Sequence, residues 1–230
     1  VVTVGDPQKN AEAIMALMDS AASAGADITV FPELALTGYS CGDLLFQTPL
    51  LDCALRGLEK VMEKNAATGG MTIVGMPMRI GGKLYNCAAV VAAGKLVGIV
   101  PKTFLPDYSE FYEQRWFSPA DSLSAADYDC AQLGLRSSGT VPAGAGLVFD
   151  VNGEYRFGTE VCEDLWTPLP PSVFLTMGGA ELIVNLSASN ETVSKREYRQ
   201  ALVKGQSASG ICAYAFASSG EGESTTDLKF

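Results

Sequence analysis

The apolar positions change period repeatedly along the chain, and the changes mark out its elements. Val1–Val4 reads as the end of a strand. Asp6-Pro7 then has the form of an N-cap followed by proline at the first helical position, and Ile14, Leu17, Met18 and Ala21 follow at helical spacing up to a stop at Gly25. Ile28–Phe31 is a short apolar run that leads into Pro32-Glu33, and Leu51, Leu55, Leu58 and Met62 predict a second amphipathic helix. Three strand signals crowd together next, over Met71–Met78, Leu84–Val91 and Lys95–Val100, with turns at Gly81-Gly82 and Ala93-Gly94.

An aromatic-rich, irregular stretch covers Pro101–Phe117. Ser118–Gly146 has little pattern and reads as surface loop with short helix. Leu147–Val151, Asn152-Gly153 and Tyr155–Val161 predict a hairpin closed by a type I′ turn. Beyond Cys162 the signals alternate: a short helix near Val173–Met177, a strand at Leu182–Asn185, a helix at about Val193–Gly205 and a strand at Ile211–Ala217. Alternating strands and helices with inserted hairpins predict an α/β layered domain whose helices cover both sheet faces. No internal repeat or linker divides residues 1–230, which are read as one domain.

Composition narrows the chemistry. Hydrophobic residues make up 47% of the 230, enough for a large core, and the net charge is −10. No Lys/Arg cluster exceeds Lys195-Arg196, so neither nucleic acid nor an anionic membrane is an expected partner. No apolar run approaches the about 20 residues of a membrane span. The cysteines, Cys41, Cys53, Cys87, Cys130, Cys162 and Cys212, form no C-x-x-C pair and read as reduced thiols of a cytoplasmic protein without a zinc site. The chain has no histidine. Imidazole-based nucleophile systems and H-E-x-x-H metallohydrolases are therefore excluded, and a hydrolase built on this chain must move protons with a carboxylate, a lysine or a tyrosine.

Three polar residues end apolar strands: Glu33, Lys102 and Cys162. Strand ends are where α/β folds place their sites. Singly, each is ordinary: an exposed carboxylate, a solvated lysine, a packed thiol. Together they form a nucleophile system. The thiolate attacks a carbonyl, Glu33 takes the thiol proton and returns it to a leaving amine, and Lys102 lowers the thiol pKa and binds the oxyanion. The backbone N–H of Glu163 is a candidate second oxyanion donor.

The sequences around these residues carry a resemblance. Phe31-Pro32-Glu33-Leu34, Pro101-Lys102-Thr103-Phe104-Leu105-Pro106 and Gly158-Thr159-Glu160-Val161-Cys162-Glu163-Asp164-Leu165-Trp166 resemble, in order, the three catalytic motifs of the nitrilase (carbon–nitrogen hydrolase) superfamily. Further segments are similar to the glutaminase domains of bacterial NAD synthetases: Gly38–Leu44, Glu110–Phe117, Asn185–Glu191 and Gly222–Leu228.

The resemblance implies a four-layer αββα sandwich, C-terminally truncated, that hydrolyses L-glutamine without a cofactor. It implies transfer of the ammonia to an ATP- and magnesium-dependent synthetase domain after residue 230, which amidates deamido-NAD, and assembly into a homo-oligomer. It places Tyr108, Ser189 and Lys195 around the substrate, with Tyr39 as a further pocket residue. It also asks for a second carboxylate on the lysine, a role open to Glu110 or Glu113 with Glu113 preferred. Two alternatives stand beside it: a free-standing amidase acting on another small amide or nitrile, and a non-catalytic domain of the same fold.

Overall fold

The computed structural model describes residues 1–225, 228 and 229. Thr226 and Asp227 of the Gly222–Leu228 segment lie outside the described residues. Helix α1 (Pro7–Ser23) begins where the sequence places it: the Asp6 side chain accepts the Lys9 N–H, and Ile14 and Met18 turn inward while Leu17 stays exposed. Helix α2 (Thr48–Thr68) buries Leu51, Leu58, Val61 and Met62. The strands that these helices flank are β1 (Ile28–Val30), β2 (Met71–Ile80), β3 (Lys83–Ala92) and β4 (Lys95–Pro101).

The predicted surface loop at Ser118–Gly146 is instead partly strand. It contributes β5 (Ala126–Asp129) and β6 (Thr140–Ala143), which complete a six-stranded sheet in the order β1-β2-β3-β4-β6-β5. β5 shows no apolar alternation because it is an almost wholly exposed edge, with Asp127 and Asp129 on it, while β6, between β4 and β5, buries only Val141 and Ala143 and is too short to display a period. Val1–Val4 is not a strand. Asn10 captures both the N–H and the C=O of Thr3 with its side-chain amide, and Gly5 N–H donates to Thr37 O at 2.7 Å, so the segment is pinned without a ladder.

A second, four-stranded sheet has the order β10-β9-β8-β7. Its hairpin of β7 (Val148–Val151) and β8 (Tyr155–Val161) turns at Asn152 and Gly153, whose φ values of 54° and 74° are both positive, as a type I′ turn requires. Strands β8, β9 (Leu182–Ser187) and β10 (Ala213–Ser218) run parallel. Helices α3 (Pro171–Met177) and α4 (Lys195–Gly210) are their crossovers. Helix α4 runs through Gly205 and ends at Ile211, a left-handed cap, so β10 starts later than the sequence predicts.

The sheets pack face to face through Ile73, Ala88, Val90 and Val100 on one side and Phe149, Phe157, Val184 and Leu186 on the other. Phe149 and Phe157 stack at 5.0 Å, and Gly98 makes room for the Phe149 ring. Ile14, Met18, Leu58 and Val61 of α1 and α2 cover the outer face of the larger sheet, and α3 covers the smaller one through Leu175. Four layers, αββα, result. The doubly covered strands β2 and β3 are buried along almost their whole length, hence their nearly continuous apolar runs.

Candidate active site

Glu33 lies just beyond β1, on a turn that folds over β2. Leu34 adopts φ 50°, and Leu36 N–H donates to Gly75 O at 3.2 Å. Gly75 is essential to this crossing, because a Cβ there would stand 2.3 Å from Pro32 O and 2.7 Å from the Glu33 Cα. Lys102 follows β4, with its N–H on the Asn86 carbonyl at 2.8 Å. Cys162 follows β8 in the other sheet and adopts φ 45°, a left-handed conformation that holds a non-glycine residue under strain at a strand-to-turn junction. The ends of β1, β4 and β8 thus converge from both sheets.

The side chains meet in a buried cluster. Lys102 Nζ lies 2.7 Å from Glu33 Oε1 and 2.7 Å from Glu113 Oε1, and all three side chains are at most 1% exposed. Asn86 Nδ2 donates to Glu33 Oε1 at 2.6 Å, and Ala188 N–H donates to Glu33 Oε2 at 2.8 Å. The Tyr39 hydroxyl donates to Glu113 Oε1 at 2.8 Å. Among the described residues, Glu113 Oε2 has no partner. Of the two candidate carboxylates, then, Glu113 reaches the lysine. Glu110 instead accepts from the Asn190 side chain.

Two carboxylates and one ammonium leave an excess negative charge in a dry place. Burial, then repulsion from Glu33, pushes the Glu113 carboxyl up to about 7, against the pull of Lys102. A proton on its unpartnered Oε2 costs no hydrogen bond. The two carboxylates outweigh burial at Lys102 and hold the ammonium well above its ordinary value. The Cys162 thiol is pushed up, by burial first and by Glu33 next; Lys102 and the Ala188 N–H oppose them. The sequence predicts a thiol whose pKa Lys102 lowers. Lys102 does pull it down, but burial and the Glu33 charge prevail.

Cys162 is buried, yet it lines a cavity of about 470 Å³. Tyr108, Ser189 and Lys195 share that wall with Glu110, Glu163 and Trp166. Tyr108 donates its hydroxyl to both Glu163 carboxylate oxygens at 3.1 Å. Lys195 donates to Asn190 Oδ1 and sits 5.2 Å over the Trp166 ring and 5.8 Å over Phe111. Burial pulls its ammonium below the ordinary lysine value. Tyr39, expected on this wall, lies behind it: its ring is buried, and its hydroxyl is spent on Glu113. Glu163 presents its carboxylate to Tyr108, while its backbone belongs to the turn Cys162–Trp166.

Three supporting groups are not singled out by the sequence. Asn86 is a buried polar residue within the apolar run of β3, and that incongruity was its only signal. Asp164 is 1% exposed and accepts backbone N–H groups from two segments. Glu223 is fully buried and accepts the N–H of Tyr39 at 2.8 Å and of Ser40 at 3.2 Å. All six cysteines are free. Among the described residues no group of three His, Cys, Asp or Glu side chains could hold a metal ion, and no helix is long and apolar enough to cross a membrane.

The chain is similar to known proteins over nearly all of its length. The chain is 38% identical to a glutamine-dependent NAD(+) synthetase of Mycobacterium tuberculosis, over 98% of the chain but 32% of the relative. It thus spans about a third of the length of that relative. The solved glutamine-dependent NAD(+) synthetase of Cytophaga hutchinsonii superposes with a TM-score of 0.80 at 29% identity, covering 94% of this chain and 34% of that one. An amidase of Nesterenkonia from the nitrilase superfamily shares the fold, with a TM-score of 0.77 at 17% identity, covering 100% of this chain and 76% of that one. The carbon-nitrogen hydrolase family model matches residues 3–222, and the chain belongs to that family.

Proposed function

We propose that this domain hydrolyses the side-chain amide of L-glutamine through a thioester on Cys162 and hands the ammonia to a synthetase region of the same full-length protein. The observation that carries the reading is the buried Glu33–Lys102–Glu113 cluster whose charges act on a thiol that opens onto a cavity also lined by Tyr108, Ser189 and Lys195.

The steps follow from the hydrogen bonds. Glu33 Oε2 carries one N–H bond and has room to accept the thiol proton. The sulfur attacks the amide carbon and the carbonyl π pair moves to oxygen. Lys102 spends two of its three N–H bonds on Glu33 and Glu113 and aims the third at that oxyanion, beside the Glu163 N–H. Collapse breaks the C–N bond as Glu33 returns the proton, releasing ammonia and leaving the γ-thioester. Water, deprotonated by Glu33, attacks the thioester in turn. Glutamate leaves, and the proton goes back to sulfur.

Tyr108, Ser189 and Lys195 hold the zwitterionic end of the substrate, with Glu110 and Glu163 supplying negative charge on the same wall. The names of the long relatives support a glutamine-fed synthesis of NAD. Deamido-NAD as the ammonia acceptor and assembly into a symmetric homo-oligomer belong to the same proposal. ATP and magnesium belong to the synthetase reaction. No step above runs through them.

The test exposes the full-length protein to a diazoketone analogue of glutamine and locates the adduct by mass spectrometry. The adduct is expected on Cys162, and Cys162→Ala should lose both labelling and ammonia release. Full labelling of Cys162→Ala would sink the proposal.

A further inference from the structure

The two groups that must cooperate, the Lys102 ammonium and the Cys162 sulfur, stand on different sheets. β4 ends at Pro101 and β8 at Val161; Lys102 keeps one N–H bond to the Asn86 carbonyl, and beyond it no ladder pairs the lysine segment with the turn after β8. One buried carboxylate bridges them. Asp164 Oδ1 accepts the N–H of Thr103 at 3.1 Å and of Phe104 at 2.8 Å, the two residues after Lys102. Its Oδ2 accepts the N–H of Val161, the residue before Cys162, at 2.9 Å. The bond to Val161 closes the turn Cys162–Trp166 back onto its own start and thereby supports the left-handed backbone at Cys162.

We propose that Asp164 is a positioning residue that ties the lysine segment of one sheet to the nucleophile turn of the other and so sets the separation of ammonium and sulfur. It touches neither substrate nor sulfur. Its effect reaches the reaction through the placement of Lys102 and Cys162, and the inference therefore rests on the reading of those two residues given above. A neutral side chain of the same shape cannot do the same work. Asparagine offers one acceptor oxygen, so either the Val161 N–H or the Thr103 and Phe104 pair would face an NH₂ group. The mismatch moves one segment away from the other while leaving Tyr108, Ser189 and Lys195 in place.

The experiment compares wild-type full-length protein with Asp164→Asn and Cys162→Ala in steady-state glutamine hydrolysis, with circular dichroism as the control for folding. For a folded Asp164→Asn, kcat should fall at least about 10-fold while KM for glutamine stays within about threefold, the pattern of a loss felt in the transition state alone. A kcat within twofold of wild type, or a rise in KM without a fall in kcat, overturns the proposal. Cys162→Ala retaining activity would instead overturn the nucleophile assignment, so the two failures are distinguishable. Should Asp164→Asn not fold, hydrogen exchange on the wild-type protein decides. The Thr103, Phe104 and Val161 amides should exchange at one common slow rate, and exchange of the Thr103 and Phe104 amides at open-loop rates would refute the tie.

Discussion

Asn86 holds Glu33 and Lys102 at once: its side-chain amide donates to Glu33 Oε1 at 2.6 Å, and its backbone carbonyl takes the Lys102 N–H at 2.8 Å. One residue in the middle of the larger sheet therefore orients the Glu33 carboxylate and anchors the segment that carries the ammonium. Replacing Asn86 by alanine leaves the backbone bond and deletes the other, freeing the Glu33 carboxylate to rotate toward Lys102. Glutamine hydrolysis should fall about 10-fold or more, and stability should drop by roughly 1–3 kcal/mol for a lost buried hydrogen bond to a charged acceptor. Steady-state kinetics beside urea unfolding check both; unchanged kinetics would show that Glu33 is oriented by Lys102 and Ala188 alone.

The protonation of Glu113 gives stability a definite slope with pH. Its carboxyl is raised in the folded state from an ordinary 4.5 to about 7 by burial, so between those values the native protein binds more protons than the unfolded chain. Stability must therefore decline as pH rises through that window, flattening above about 7. Unfolding free energies between pH 5 and 8, in Glu113→Gln against wild type, should show a shallower decline in the variant. Equal slopes would mean that Glu113 is ionised throughout.

Gly75 carries a prediction that owes nothing to chemistry. A methyl group there meets backbone, not a flexible side chain, at 2.3 to 2.7 Å. Gly75→Ala should thus push the Pro32–Leu34 turn off the sheet, costing about 3 kcal/mol as an overpacked site and displacing Glu33. Thermal unfolding should show a lowered midpoint, and glutamine hydrolysis should fall at least about 10-fold. A variant as stable and as active as wild type would mean that the turn has freedom to move outward.

Glu33, Lys102 and Cys162 were legible in the sequence because each ends an apolar run, and a polar residue at a strand end is visible as a break in pattern. The layers were legible for a related reason: β2 and β3 are apolar almost throughout, the signature of strands covered on both faces. What escaped depends on register. Whether Asn86 meets Glu33 is fixed by how β3 pairs with β2 and β4, and no local property of residues 83–92 reveals it. Asp164 stands two places from Cys162, within a segment singled out on other grounds, yet its partners sit 60 residues or more away at Thr103 and Phe104. Tyr39 was legible as a site residue but not as one that faces Glu113 instead of the cavity. β5 escaped because an exposed edge strand has no apolar period to display, and β6 because four residues interrupted by Pro142 are too few to show one.

The Glu223 carboxylate reaches back across 184 positions of the chain to grip the loop whose tyrosine steadies Glu113. Anyone trimming this polypeptide for screening or crystal growth inherits that dependency. A cut made at Ser219, which looks harmless because it falls just past β10, discards a brace of the Glu33–Lys102–Glu113 cluster. A preparation shortened there could stay folded and still misreport how strongly an inhibitor binds.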